Sequence, residues 1–214
     1  MKVEIWSDVI CPFCYIGKRR FEHALEKFAH KDDVELIWHS FELDPERKSE
    51  PGKSIHQMLA EKKGWTIEQA KEMNDHVTKM AKEVGLTYDF DKAIPVNTFK
   101  AHRISHLAAQ HNVQNEMEEL LFSSYFTKGV NIDEDNSLIS LADKVGIDSK
   151  ETEKMLKSDK YSHDVRQDEA EAREIGISGV PFFVFDRKYA VSGAQPEDVF
   201  LRTLEKVWGE ATTS

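Results

Sequence analysis

Strand-forming residues occur only near the two ends of this chain of 214 residues. Close to the amino end, apolar and polar residues alternate over 3–6, and a second strand is predicted over Val34–Trp38. Between these strands Phe21, Leu25 and Phe28 recur at the spacing of one helical face, which predicts a helix from the cysteines to about residue 29. A strand-helix-strand unit this short predicts a parallel pair of strands with a right-handed crossover.

The middle of the chain is predicted to be entirely helical. From Glu42 onward a charged loop punctuated by Pro45, Pro51 and Gly52 leads into more than a hundred residues with helical periodicity and capping signals. The predicted helices cover Ile55 to Lys63, Thr66 to Gly85, a segment from Asn97 or Thr98, a segment around Met117 to Tyr125, Asn136 to Gly146, Asp148 to about Lys157, and about Lys160 to Ile175. Ser54, Thr66 and Asp148 are expected to be N-caps.

Strand character returns near the carboxyl end. Phe182–Phe185 and Tyr189–Ser192, joined by a polar turn, predict a hairpin. A last helix is expected with Pro196 at its first position and Gly209 just past its end. Strand-helix-strand, a helical insertion and then helix-hairpin-helix is the thioredoxin arrangement. We therefore expect an α/β, thioredoxin-like domain over 1–42 and 160–214, interrupted by an all-helical insertion domain over 43–159.

The only two cysteines, Cys11 and Cys14, lie between the first strand and the first helix. The thiolate is the nucleophilic form of cysteine, and the unpaired N–H groups of a helix N-terminus favour negative charge. Cys11 is therefore expected to be the attacking and more accessible thiol. Cys14, one turn further on, can resolve a mixed disulfide and close a two-electron cycle between dithiol and redox-active disulfide.

Two other interpretations of the cysteine pair carry less weight. A closed zinc site needs four Cys or His ligands, whereas the chain has no second pair and no histidine at ligand spacing near this one. A purely structural disulfide across so short a loop removes little entropy from the unfolded chain. We expect no metal site and a catalytic role for the pair.

Charge and hydropathy exclude several classes of partner. The net charge of -10 and the pI near 5.4 argue against a nucleic-acid partner, because such proteins concentrate positive charge. No run approaches 18 apolar residues, so no membrane partner is expected. Met1 leads directly into a strand without a secretory signal, which predicts a cytoplasmic, reducing location. A lone Cys-x-x-Cys pair there is more often catalytic than structural.

The chain resembles the DsbA family, and within it the FrnE-type branch. The resemblance spans essentially the whole chain and is carried by Cys11–Lys18 (CPFCYIGK), Ser40–Leu43 (SFEL), Gly176–Phe183 (GISGVPFF) and Ser192–Pro196 (SGAQP). It implies that Cys11 is the nucleophile and Cys14 the resolving cysteine.

The resemblance also implies a binding surface. Val180-Pro181 matches the loop whose proline is cis and packs against the active-site sulfurs, where the Val180 backbone would pair with an extended peptide or with glutathione. Pro12 and Phe13, between the cysteines, are expected to contact substrate as well. Asp8 and His39 flank the carboxyl ends of the first two strands, and either could tune the pKa of a cysteine or relay a proton to Cys14. The alternative is that they are surface polar residues at strand ends.

Departures from the family refine the expected activity. Strongly oxidising relatives carry histidine at the position of Phe13, and some FrnE-type proteins carry a further cysteine pair that this chain lacks. The sister branch of kappa-class glutathione transferases and hydroxychromene carboxylate isomerases typically has serine at the position of Cys11.

We therefore expect a protein-disulfide oxidoreductase of the reductase, isomerase or oxidase type. A glutathione-dependent isomerase or transferase is the alternative, and a partner-binding module without catalysis is the third possibility. The expected partners are thiol- or disulfide-containing proteins or small molecules, with no cofactor other than glutathione as a co-substrate. The chain is expected to be a monomer or a homodimer.

Overall fold

The computed structural model describes residues 1–212 and divides the chain into two compact units. We call Met1–Leu43 together with the residues from Arg166 onward the thioredoxin-like unit, and Asp44–Val165 the helical unit. The domain limits expected from the sequence, at 42/43 and 159/160, stay a prediction. Within the described residues no helix is long and apolar enough to cross a membrane.

The thioredoxin-like unit is built on one mixed sheet of four strands. Its strands are β1 (Lys2–Ser7), β2 (Glu35–Ser40), β3 (Phe182–Phe185) and β4 (Tyr189–Ser192), in the order β2-β1-β3-β4. β1 and β2 are parallel, whereas β3 is antiparallel to both β1 and β4. The predicted parallel pair, the hairpin and the thioredoxin-like α/β fold are confirmed.

Three helices accompany this sheet along the chain. They are α1 (Pro12–Lys27), α8 (Ser162–Glu174) and α9 (Glu197–Thr212), and a 3₁₀ turn at Lys31–Asp33 precedes β2. The prediction that the last helix ends before Gly209 is wrong, because α9 continues through this glycine. In the part of α9 that follows Gly209, a carboxylate oxygen of Glu210 accepts a hydrogen bond from the Tyr189 hydroxyl at 2.8 Å.

α1 and α9 cover one face of the sheet. Ile5 of β1 is paired with Phe183 of β3, so their side chains share this face. The ring of Phe21 in α1 lies 5.6 Å from that of Phe183, and Phe200 of α9 lies 4.7 Å from the same ring. These contacts form the core that fixes α1 over the end of β1.

On the opposite face of the sheet, a second hydrophobic cluster packs against α8. Trp6 of β1 is buried there with Ala172, Ile177 and Val184. Its indole Nε1 donates to the carbonyl of Asp168 at 3.2 Å, which ties α8 to the sheet.

The helical unit contains six helices, and its sequence-encoded caps form as expected. Ser54 and Thr66 each accept a hydrogen bond from the backbone N–H three residues on, in capping boxes with Gln57 and Gln69. The Asp148 carboxylate likewise caps its helix. The helices are α2 (Ile55–Lys63), α3 (Ile67–Glu83), α4 (Phe99–Gln110), α5 (Gln114–Phe126), α6 (Asp135–Lys144) and α7 (Ser149–Leu156).

Candidate active site

The two cysteines occupy the first turn of α1. Cys11 is the N-cap residue, with extended backbone angles, and Pro12 takes the first helical position, where a missing N–H costs nothing. The Cys11 N–H donates to the Asp8 carbonyl at 2.9 Å, and the Cys14 N–H donates to the Cys11 carbonyl at 3.0 Å. The turn after β1 therefore holds both residues at the helix N-terminus.

The two thiols differ in environment. Both are reduced and buried, with Cys11 5% and Cys14 1% exposed. Burial raises the pKa of Cys14 well above its usual value, and the adjacent Cys11 raises it further. A backbone hydrogen bond from Asp8 and the side chain of Ser7 act in the opposite direction without offsetting this. Cys14 is thus held as a neutral thiol at neutral pH.

The loop that ends at β3 lies directly against Cys11. The Val180–Pro181 peptide bond is cis. The Cys11 thiol donates to the Val180 carbonyl, with an S···O distance of 3.5 Å. Val180, which is 169 residues from Cys11 in the chain, therefore lies beside the Cys11 sulfur.

Pro181 packs against small residues of α1 and of the segment after β4. A Cβ built on Gly17 of α1 would lie 3.0 Å from Pro181 Cγ and 3.5 Å from Ala194 Cα. The Arg20 guanidinium donates to the Ala194 carbonyl at 2.6 Å, and the Gly193 N–H donates to the Pro181 carbonyl at 2.8 Å. α1 thus carries both cysteines and the surface that positions the proline.

Sequence reasoning did not predict this packing around Pro181. Gly17 was part of the family motif, but no role was assigned to it, and neither Arg20 nor Ala194 was singled out. The available signal was helical spacing, since Gly17 follows Cys14 by three residues and lies on the same side of the helix.

The surface around Cys11 is partly apolar and open. Phe13 is 40% exposed, so its ring is accessible to a partner. A cleft of about 270 Å³ borders the proline loop, lined by Ser178, Gly179, Val180, Pro181, Ser192 and Gly193 among others. This lining offers mainly backbone and hydroxyl groups.

Asp8 lies close to the cysteines and has structural contacts of its own. The residue is fully buried, and its carboxylate accepts a hydrogen bond from the Leu43 N–H at 2.8 Å. The Asp8 backbone, through its hydrogen bond, lowers the pKa of Cys14. The Asp8 side chain therefore holds the segment after β2, whereas the Asp8 backbone acts on the Cys14 thiol.

His39 lies on the other face of the sheet. Its ring stacks on Trp6 at 4.3 Å, and its nitrogens lie 2.8 Å from an Asp168 oxygen and 3.1 Å from a Glu4 oxygen. Burial lowers the pKa of His39, but hydrogen bonds and charge from Asp168 and Glu4 outweigh it, so the pKa is raised. Both ring nitrogens face carboxylates, and a tuning role toward the cysteines stays a prediction.

Metal-ligating side chains do not cluster at this site. Within residues 1–212, no three His, Cys, Asp or Glu side chains are arranged to hold a metal ion. The site consists of a dithiol, a proline loop and an exposed aromatic ring.

The sequence and the fold are similar to those of several known proteins. The probable DsbA oxidoreductase SCO1869 from Streptomyces coelicolor is 41% identical, superimposes with a TM-score of 0.92, and the match covers 98% of this chain and 91% of that one. YwbO from Bacillus subtilis is 28% identical over 94% of both chains. The cytosolic disulfide reductase DsbM from Pseudomonas aeruginosa shares the fold, with 14% identity and a TM-score of 0.67. The match covers 96% of this chain and 98% of DsbM, whose structure has also been determined with GSH. Residues 2–205 match the DSBA-like thioredoxin domain family. The chain therefore belongs to the DSBA-like thioredoxin domain family.

Proposed function

We propose that the chain is a protein-disulfide oxidoreductase that cycles Cys11 and Cys14 between dithiol and disulfide. The observation that carries this proposal is the position of Cys11 at the N-terminus of α1, with its sulfur 3.5 Å from the Val180 carbonyl. A thiol placed there combines a helix N-terminus that favours the thiolate with a backbone edge that can bind a substrate chain.

The roles of the two cysteines follow from their different environments. The Cys11 thiolate attacks one sulfur of a substrate disulfide, forming a mixed disulfide and releasing the other sulfur as a thiolate. Cys14, kept neutral by burial, loses its proton and attacks Cys11 Sγ. This second step releases the substrate as a dithiol and leaves a Cys11–Cys14 disulfide, so two electrons pass to the substrate.

The substrate side of the proposal is an extended peptide segment. Backbone groups at Val180 would pair with the segment, as in other cases of strand addition, while Phe13 and Pro12 contact its side chains. Glutathione would return electrons to the Cys11–Cys14 disulfide, an idea supported by the fold shared with DsbM, which has been determined with GSH. The motifs around the cysteines and the proline loop favour the FrnE-type branch.

We extend the proposal to the cytoplasm, the compartment named for DsbM. Cell fractionation with antibody detection checks this location. Whether the protein is a monomer or a homodimer stays a prediction.

The direct test is reduction of a fluorescence-quenched peptide disulfide, with glutathione as the final reductant. Wild-type protein should catalyse the reaction, and Cys11→Ser should reduce the rate to that of buffer. A wild-type rate equal to buffer, with the fold intact by circular dichroism, would refute the proposal. Turnover of glutathione conjugates in place of disulfides would identify the chain as an isomerase or transferase.

A further inference from the structure

Ser7, the last residue of β1, has a buried hydroxyl that no other interaction explains. The residue is 3% exposed, and its Oγ has no hydrogen-bond partner among the described residues 1–212. Burying a hydroxyl without a partner is costly, so such a group in a native core requires a reason.

The fold directs this hydroxyl toward Cys14. Because side chains alternate along a strand, Ser7 shares a sheet face with Ile5, which is paired with Phe183. Phe21 of α1 packs on Phe183 at 5.6 Å, so α1 covers this face. Cys14 precedes Phe21 by about two helical turns and therefore lies on the same side of α1. Cys14 and Ser7 both lie toward the carboxyl end of β1, where α1 begins.

We propose that Ser7 is a catalytic residue whose hydroxyl donates a hydrogen bond to the Cys14 sulfur whenever that sulfur is a thiolate, with the Asp8 backbone N–H as the second donor. The proposal rests on the function proposed above and assigns a chemical task within it. In the dithiol state the Ser7 Oγ is not within full hydrogen-bond geometry of a partner. A hydrogen-bonding contribution from the Ser7 side chain nevertheless already lowers the pKa of Cys14.

This hydrogen bond acts at the step in which Cys14 is the leaving group. When a glutathione or substrate thiolate attacks Cys11 Sγ of the disulfide, a new S–S bond forms at Cys11 and the Cys11–Cys14 bond breaks. Its electron pair stays on Cys14, which departs as a thiolate into a fully buried environment. Ser7 Oγ–H and the Asp8 N–H stabilise that charge until a proton arrives from solvent. In the reverse direction the same donors stabilise the thiolate that attacks the mixed disulfide.

The test measures ionisation of Cys14 alone. In a Cys11→Ser background Cys14 is the sole thiol, and its thiolate is followed by absorbance near 240 nm as pH is raised. Removing a hydrogen bond to a charged group should raise the midpoint by about one pH unit in Ser7→Ala. Ser7→Gly, which also lacks the hydroxyl, should give the same rise and serves if Ser7→Ala does not fold.

The matched control is Ser124→Ala in the same background. Ser124 belongs to the helical unit, and its hydroxyl is also buried without a hydrogen-bond partner among residues 1–212. This control should leave the midpoint where it is. A midpoint in the Ser7 variants equal to that of the control would overturn the proposal.

A second measurement uses the proposed reaction. In the protein with both cysteines, Ser7→Ala should slow opening of the Cys11–Cys14 disulfide by glutathione by up to about tenfold, the limit reached if the whole change of one pKa unit appears in the rate. The absorbance titration requires no turnover. If the Cys14 titration midpoint shifts in Ser7→Ala but the protein has no exchange activity, the proposed function alone is refuted. If exchange is normal and the midpoint does not shift, the role of Ser7 alone is refuted.

Discussion

Replacing Gly17 with alanine places a methyl group between the helix that carries the cysteines and the proline loop. The added Cβ would lie 3.0 Å from Pro181 Cγ, closer than ordinary van der Waals contact. The proline ring cannot rotate away, and its carbonyl is held by the Gly193 N–H at 2.8 Å. Overpacking of this kind costs about 1–3 kcal/mol, whereas alanine in place of glycine inside a helix gains about 0.5–1 kcal/mol. The net effect should be destabilisation by up to about 2.5 kcal/mol.

The same substitution at Gly209 is the matched control. A Cβ at Gly209, inside α9, meets nothing within 4 Å, so Gly209→Ala should stabilise by up to about 1 kcal/mol and leave disulfide exchange unchanged. Urea unfolding measures the difference in stability. Because Gly17→Ala also pushes Pro181 and Val180 away from Cys11, it should slow exchange with a peptide disulfide. A Gly17→Ala protein as stable as Gly209→Ala, with wild-type exchange, would refute the packing argument.

The remaining predictions concern the thiols, the buried histidine and the residue between the cysteines. Cys14→Ser should keep the first exchange step and accumulate mixed disulfides at Cys11, visible by mass spectrometry; their absence would reverse the assigned roles. The pKa of His39 is raised in the folded state. The stability that protonated His39 adds to the fold is therefore complete below the usual pKa of 6.5 and is lost as pH rises through the folded-state pKa. The urea midpoint should therefore fall over that range, and less so in His39→Gln; equal slopes would contradict this account. Phe13→His should make the dithiol–disulfide couple more oxidising, as a shift in glutathione equilibration would show.

Local sequence signals were sufficient for most of the secondary structure, for the parallel pair of strands and for the hairpin. The alternation around Ile5, the hairpin at Phe182–Ser192 and the caps at Ser54 and Thr66 depend on neighbours a few residues away, and the structure has them. The end of α9 was misjudged because Gly209 was taken as a stop signal, whereas a glycine inside a helix costs only about 1 kcal/mol and α9 continues through it.

The same distinction applies to the candidate site. The cysteine pair and the proline loop were found from motifs, but contacts that join distant segments were not. The Arg20 bond to Ala194 spans 174 residues, and the His39 bond to Asp168 spans 129. Nothing in local periodicity encodes such pairs, because each arises only when the sheet brings the segments together.

The claim that Cys11 and Cys14 form a reversible redox couple is tested most directly by equilibrating the protein with glutathione buffers and counting alkylated thiols by mass spectrometry. Phe13 stands where strongly oxidising relatives carry histidine, so the helix N-terminus provides the thiolate stabilisation without that second cation. We predict joint loss of both thiols into one intramolecular disulfide, with a midpoint of about -160 to -250 mV. Two thiols that persist in oxidised glutathione, or a glutathione adduct on Cys11 that Cys14 never displaces, would contradict the account.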